Sequence, residues 1–270
     1  MKNPPTLEEP PPATVPRPLA ESLREYAERY ETATFTRDDP SLFMHIVEGD
    51  ENRETTAFVA STLSYGSRRQ FMPKIKWLLD ISRGDMFGWI KGGLFNGTLP
   101  DDGTRFYRFY TTRDMNALLR ALQGMLNAYG SMGRYVRSRA TDGYTAISAL
   151  TDYFRGKVTG GMVPKDTVSA CKRLCMFMRW MARAESPVDI GLWHTFIDRR
   201  SLIMPLDTHV FRQAMQLELL TGGAPSMAAA QRLTDKMKEI FPEDPLKGDF
   251  ALFGYGVNHN GEDVRGRTHY

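Results

Sequence analysis

The sequence predicts an all-α fold. Apolar residues recur at three- and four-residue spacing through most of the chain, capping and stop residues bracket those runs, and no segment reads as a convincing strand or repeats internally. The helical period begins at Leu19, where "LAESLREYAERYET" sets Leu19, Leu23, Tyr26 and Tyr30 on one stripe. "ENRETTAFVASTLSYG" and "RRQFMPKIKWLLDIS" predict two further helices separated at Gly66. Residues 92–111 are rich in Gly, Asp and aromatics and predict a loop, with room for a short hairpin. Thr112 is a candidate cap for a helix through Ala128 that stops at Gly130, and "YTAISALTDYFR" predicts another ending at Gly156. A glycine-containing connection over 157–164 leads to "SACKRLCMFMRWMAR", Ser169 to Arg183, which reads as a helix. An irregular stretch, 184–206, precedes a helix from Asp207 to about Leu219. "PSMAAAQRLTDKMKEIF" is helical with Pro225 near its start, and "DPLKGDFALFGYGV" offers Asp244 as cap and Pro245 at the first helical position.

These elements bound one helical domain over 19–257. The proline-rich stretch 1–18 lacks periodicity and reads as a disordered or extended tail, and 258–270 reads as a polar tail. The chain has 270 residues, 41% of them hydrophobic, enough for one core or for two lobes sharing a cleft. A net charge of +3 means that a polyanionic partner must be held by a local patch. The two cysteines, Cys171 and Cys175, lie one predicted turn apart, which is poor disulfide geometry and points to a reducing, cytoplasmic setting. No apolar run approaches the ~20 residues of a membrane span, and the N-terminus shows no signal-peptide core. The five histidines form no metal spacing, so neither a metal nor a cofactor is expected, and the methionines read as core filler. Trp77 and Trp89 read as core as well.

The chemistry centres on the helix at 169–183. At about 100° per residue, Val168, Cys171, Leu174, Cys175, Met178 and Met181 form an apolar stripe, while Lys172, Arg179 and Arg183 share another face with Met176 between them. One reading is a solvated basic face. The other is a nucleophilic amine at Lys172, its ammonium form disfavoured by neighbouring arginines and an apolar wall, with the guanidinium forks of Arg173 and Arg179 free for phosphates. Such an amine needs a carboxylate from elsewhere. Asp207, before an apolar helical run, reads either as that carboxylate or as an N-cap, and the two roles are compatible at a helix N-terminus.

"PLDTHVFRQAMQLELL" resembles the "DTHVxRVxxRLGL" segment of the helix-hairpin-helix DNA glycosylase superfamily. "FVASTLSYGSRRQ" is similar to the early "LLSAQT" helix end of that superfamily, and "KRLCMF" stands where its bifunctional members carry a Schiff-base lysine. The chain also resembles a bacterial group of the superfamily that shares "KRLxMFLRWMxR", "PLDTHV" and "DFALFGxG", over about residues 40–257. Two departures stand out. Ala170 and Val168 replace the glycines of the usual "PGVGxK" hairpin, and Lys172 and Asp207 lie 35 positions apart (207 minus 172). The archaeal 8-oxoguanine glycosylase branch is similar in both respects.

The resemblance implies two helical lobes around a cleft, with a degenerate hairpin. It implies a monomer that acts on DNA containing a damaged base as an N-glycosylase, with AP lyase activity. Lys172 would be the nucleophile and Asp207 the catalytic carboxylate. Asp249 and Phe253, four apart on the last helix, would hold the extruded base. Arg173, Arg179 and Arg183, with Arg68 and Arg69 at the early helix end, would contact phosphates. The alternative from another class is a non-catalytic helical nucleic-acid-binding protein of the same fold, and the blandest is a helical scaffold for protein. Trp193, in the stretch before Asp207, reads as a packed side chain or as a base-stacking one.

Overall fold

Twelve α-helices and one small hairpin build residues 14–259, the part of the chain that the computed structural model describes. The order is α1 Arg17–Tyr30, α2 Leu42–His45, α3 Asp50–Leu63, α4 Arg68–Ile81, α5 Met86–Lys91, β1 Arg105–Tyr107, β2 Tyr110–Thr111, α6 Thr112–Tyr129 and α7 Met132–Arg137. Then follow α8 Gly143–Phe154, α9 Lys172–Ala182, α10 Thr208–Gln216, α11 Met227–Ile240 and α12 Lys247–His259. The all-α expectation holds for the described residues, with β1 and β2 as the exception.

Local chemistry explains most of the boundaries. Thr111 and Asp114 cap α6 reciprocally, and Gly130 ends it at φ 85°. Asp142 caps α8 through Thr145. Pro18 falls at the start of α1, which therefore begins at Arg17 rather than Leu19. Positions 1–13 of the expected tail lie outside the described residues. At the other end α12 runs on to His259, two residues past the expected domain boundary, and the rest of that tail also lies outside. The cap expected at Asp244 is not made. Its carboxylate is taken by Arg183, and α12 starts three residues later at Lys247.

α9 is the central element. It packs against α3 and α8, and every residue from Leu174 to Ala182 is buried. Phe58 of α3 stacks on Phe154 of α8 at 5.1 Å and meets Phe177 of α9 edge-on at 5.3 Å. Phe177 in turn meets Trp193 at 5.2 Å. Trp193 is 2% exposed and donates its indole N–H to Glu54 at 2.7 Å, so it is a packed side chain. The expected solvated basic face on α9 is thus corrected from Leu174 onward, where neighbouring elements bury the helix, while Lys172 and Arg173 before it stay partly exposed. Val168, expected on the apolar stripe, precedes α9 and is exposed.

α1 and α12 form the closest helix pair, and α10 and α11 touch one or the other of them. The aromatic loop folds as a tight hairpin, with Arg105 opposite Thr111 and Tyr107 opposite Tyr110. Its two-residue turn is Arg108–Phe109, with Arg108 at φ 51°. Trp89 is buried as expected, whereas Trp77 is partly exposed against Phe106 at 5.8 Å.

Candidate functional site

Lys172 is the first residue of α9, and Asp207 is the N-cap of α10. The Lys172 Nζ lies 3.3 Å from Asp207 Oδ2, and the two side chains are 36% and 32% exposed. The fold positions each end of this pair separately. Cys171 takes a left-handed turn at φ 47°, although it is not glycine, and this brings the chain abruptly into α9. No side chain caps α9, so its first-turn N–H groups have no side-chain acceptor. Asp207 accepts the backbone N–H groups of His209 and Val210 on Oδ1, each at 2.9 Å. Its two oxygens are thereby divided, one capping the helix and the other facing the amine. The expected N-cap is thus made, and the same side chain lies within ion-pair distance of Lys172.

Electrostatics separate this carboxyl from the next one along. Burial works to raise the Asp207 carboxyl. The charge of Lys172, the Val210 N–H, the Lys172 hydrogen bond and the His209 N–H outweigh it, and hold the carboxyl below its ordinary value. Asp249, in the first turn of α12, is pushed the other way. Burial raises it; Arg179 and Lys172 pull it down, while Asp207 and Asp189 push it up, and the net direction is upward. Asp249 pairs through Oδ2 with Arg179 Nη1 and makes no hydrogen bond through Oδ1 among the described residues. The site therefore combines one amine, one carboxylate kept ionised and one carboxyl that takes up a proton more readily.

Two of the expected phosphate contacts are corrected. Arg179 and Arg183 are 3% and 1% exposed, and both are committed to carboxylates. Arg179 pairs with Asp189 and Asp249; Arg183 pairs with Asp189, Asp244 and Glu31. Both guanidinium groups also lie over the Phe250 ring, at 4.6 and 5.5 Å. A buried arginine surrounded by acids is a structural ion cluster and has no face to offer a strand.

Arg173 is half-buried and fastens three elements. Its Nη1 donates to the Thr62 carbonyl at 2.6 Å and the Tyr110 hydroxyl at 2.9 Å, and its Nη2 donates to the Gly161 carbonyl at 2.8 Å. These acceptors are neutral, so its charge is not compensated there. Arg68 sits 3.7 Å from Asp39, and Arg69 is exposed with no ion pair among the described residues. Phe253 meets Tyr30 and Phe35 edge-on at 5.6 and 5.1 Å. Its ring thus belongs to the aromatic cluster joining α12 to α1, and it stays partly exposed.

Cys171 and Cys175 are both buried, and burial raises their thiols, the second strongly, which disfavours the thiolate form. Among the described residues no group of three or more His, Cys, Asp or Glu is arranged to hold a metal ion, and no helix is long and apolar enough to cross a membrane. Two depressions of about 610 and 670 Å³ open near the far end of α9, around Glu185, Arg199 and Glu243, and neither is lined by Lys172 or Asp207.

The sequence reading missed Asp189, Asp244 and Glu31 as partners of the arginines. The available signal was that Arg179 and Arg183 flank Trp180 and Met181 in an otherwise apolar run, which calls for buried acids. It also missed Tyr65, Arg108 and Phe109, which stand beside Arg173. The alternating aromatics of "RFYRFYT" carried that signal.

Over residues 39–258 the chain matches the model of a family described as "Protein of unknown function (DUF2400)". No curated protein and no solved structure matches the chain.

Proposed function

We propose a DNA base-excision activity for this chain, which belongs to the DUF2400 family. The observation that carries the reading is the Lys172–Asp207 pair. Two side chains from separate elements meet at 3.3 Å while both remain open to solvent. The Lys172 amine, in its neutral form, attacks C1′ of a damaged nucleotide as the N-glycosidic bond breaks, and the base leaves with the bonding pair. Asp207, held ionised, stabilises the cationic sugar and accepts the amine proton. The departing base takes a proton from water, the C1′–O4′ bond opens as the proton held by Asp207 passes to O4′, and the Schiff base so formed undergoes β-elimination, which expels the 3′ phosphate and nicks the strand. Asp249 bonds the departing base through the oxygen that Arg179 leaves free. The uncapped start of α9, together with Arg173, Arg68 and Arg69, supplies contacts to the phosphates. The fold that accompanies this reading is the helix-hairpin-helix glycosylase type, two helical lobes around a cleft, with Cys171 making the turn that hairpin glycines usually make.

Borohydride reduction in the presence of lesion-bearing or abasic oligonucleotides tests it. A covalent adduct with the wild type that disappears in Lys172→Ala supports the assignment. Trapping that survives Lys172→Ala removes Lys172 from the role. Absence of adduct and of base release across a lesion panel, with salt-sensitive DNA binding kept, points to the second reading, a non-catalytic nucleic-acid-binding protein. The missing glycines at positions 168 and 170 favour that second reading.

A further inference from the structure

The turn of the hairpin is an unexpected place for its residues. Phe109 is 77% exposed at the tip, and Arg108 beside it adopts a left-handed φ without being glycine or asparagine. The hairpin is not a loose finger. The Tyr107 hydroxyl donates to the Tyr65 carbonyl, and the Tyr110 hydroxyl accepts from Arg173, the residue after Lys172. Arg108 lies over the Tyr65 ring at 4.8 Å and within 5.8 Å of the Phe109 ring, and Arg173 approaches Tyr65 from 6.0 Å. Arg108 also sits against Gly66, where a Cβ would collide with its guanidinium. Tyr65 itself is 44% exposed. Two open aromatic rings and the arginine between them are thus held in place next to the Lys172 end of α9.

Charge names the kind of partner. Arg69, Lys74, Arg105, Arg108 and Arg173 make no ion pair among the described residues, and Lys74 lies over the Phe106 ring at 5.3 Å. Unpaired cations interleaved with open aromatic rings fit a strand that offers phosphates and flat π-faces in alternation. A duplex hides both faces of each base in its stack, so the rings ask for unstacked bases.

We propose that Tyr65, Arg108 and Phe109 form a stacking surface for unpaired bases of the DNA strand that enters the Lys172–Asp207 site, so that the preferred substrate is single-stranded or locally unpaired DNA. The proposal rests on DNA being the partner at Lys172, and not on the covalent step.

Fluorescence anisotropy with the full chain tests it, using labelled oligo-dT and the same strand paired with oligo-dA, at low and at physiological salt. The wild type binds the single strand more tightly than the duplex, and more weakly as salt rises. Phe109→Ala weakens strand binding about ten-fold, in line with the loss of one base–aromatic stack. Phe109→Trp retains the affinity. Ile46→Ala, which truncates another exposed apolar side chain near the start of α3, leaves it unchanged. The proposal is overturned if Phe109→Ala binds like the wild type, if duplex is preferred, or if no DNA is bound. Borohydride trapping run in parallel separates the two claims. Phe109-dependent strand binding without any trapping sinks the base-excision reading alone. Trapping with normal Phe109→Ala binding sinks the stacking surface alone.

Discussion

The two ends of α9 carry the same kind of residue and put it to opposite uses. At its C-terminal end Arg179 and Arg183 are enclosed by Asp189, Asp244, Asp249 and Glu31, over the ring of Phe250. At its N-terminal end Lys172 meets one half-open carboxylate, and Arg173 meets only neutral acceptors. A cation spent on buried acids fixes the packing, whereas one left partly open keeps its capacity to meet a substrate. Asp249 links the ends, since it pairs with Arg179 yet responds to Lys172 and Asp207. The buried cluster therefore also orients the acid nearest the open site.

The largest expected effect lies at the closed end. Arg183→Ala leaves Asp244, Asp189 and Glu31 without their shared partner, and a urea unfolding curve should show a loss of about 3–5 kcal/mol. A loss under about 1 kcal/mol would erase the contrast between the ends.

The next effect concerns the contact of α3 with the start of α7 and with Trp193. Glu54 is buried there and accepts the N–H groups of Met132 and Gly133 and the Trp193 indole. Burial pushes its carboxyl up from 4.5 to about 7, against the opposing pull of those donors. A value raised by folding means that the stabilising contribution is complete below 4.5 and fades as pH climbs through 7. Over that window the loss is on the order of 3 kcal/mol. Urea midpoints should fall from about pH 5 to about pH 8. Glu54→Gln should lose that slope, at lower overall stability because its amide N–H₂ faces a donor.

At the open end the stability effects shrink. Asp207→Ala removes an N-cap and should cost about 1 kcal/mol. Asp207→Asn keeps the cap and should cost far less, while both variants lose base release. Equal losses of stability in the two variants would show that Oδ1 does not cap α10 in solution. Last comes Lys172→Ala, whose half-exposed ion pair contributes under about 1 kcal/mol by thermal unfolding. It should nonetheless abolish the borohydride adduct. The substitution that costs least in stability is thus expected to cost most in chemistry.

Helical periodicity made most long helices legible, because α3, α4, α6, α8 and α11 are each bracketed by local signals. The pairing of Lys172 with Asp207 was expected as well, from the resemblance that "KRLCMF" and "PLDTHVFR" carry. What escaped was the environment of each cation. Lys172, Met176, Arg179 and Arg183 fall on one face by periodicity, yet that face changes from half-open to buried within three turns, since the acids that cover it come from the stretch 184–206, from the residue after α1, from the turn before α12 and from α12 itself. A helical wheel records direction and says nothing of what arrives from distant parts of the chain. The short hairpin was anticipated within the loop over 92–111, but its strands were not legible, for a related reason. Two strands of three and two residues are too short for alternation to register, and their register is set by Arg173 and Tyr65.

Asp207 hands one oxygen to the backbone of its own helix and the other to the amine. It cannot swivel toward a new donor without unlatching α10. A sideways slip of that helix would consequently be felt at the lysine as a change of reach, which makes the placement of α10 a mechanical dial on the acid.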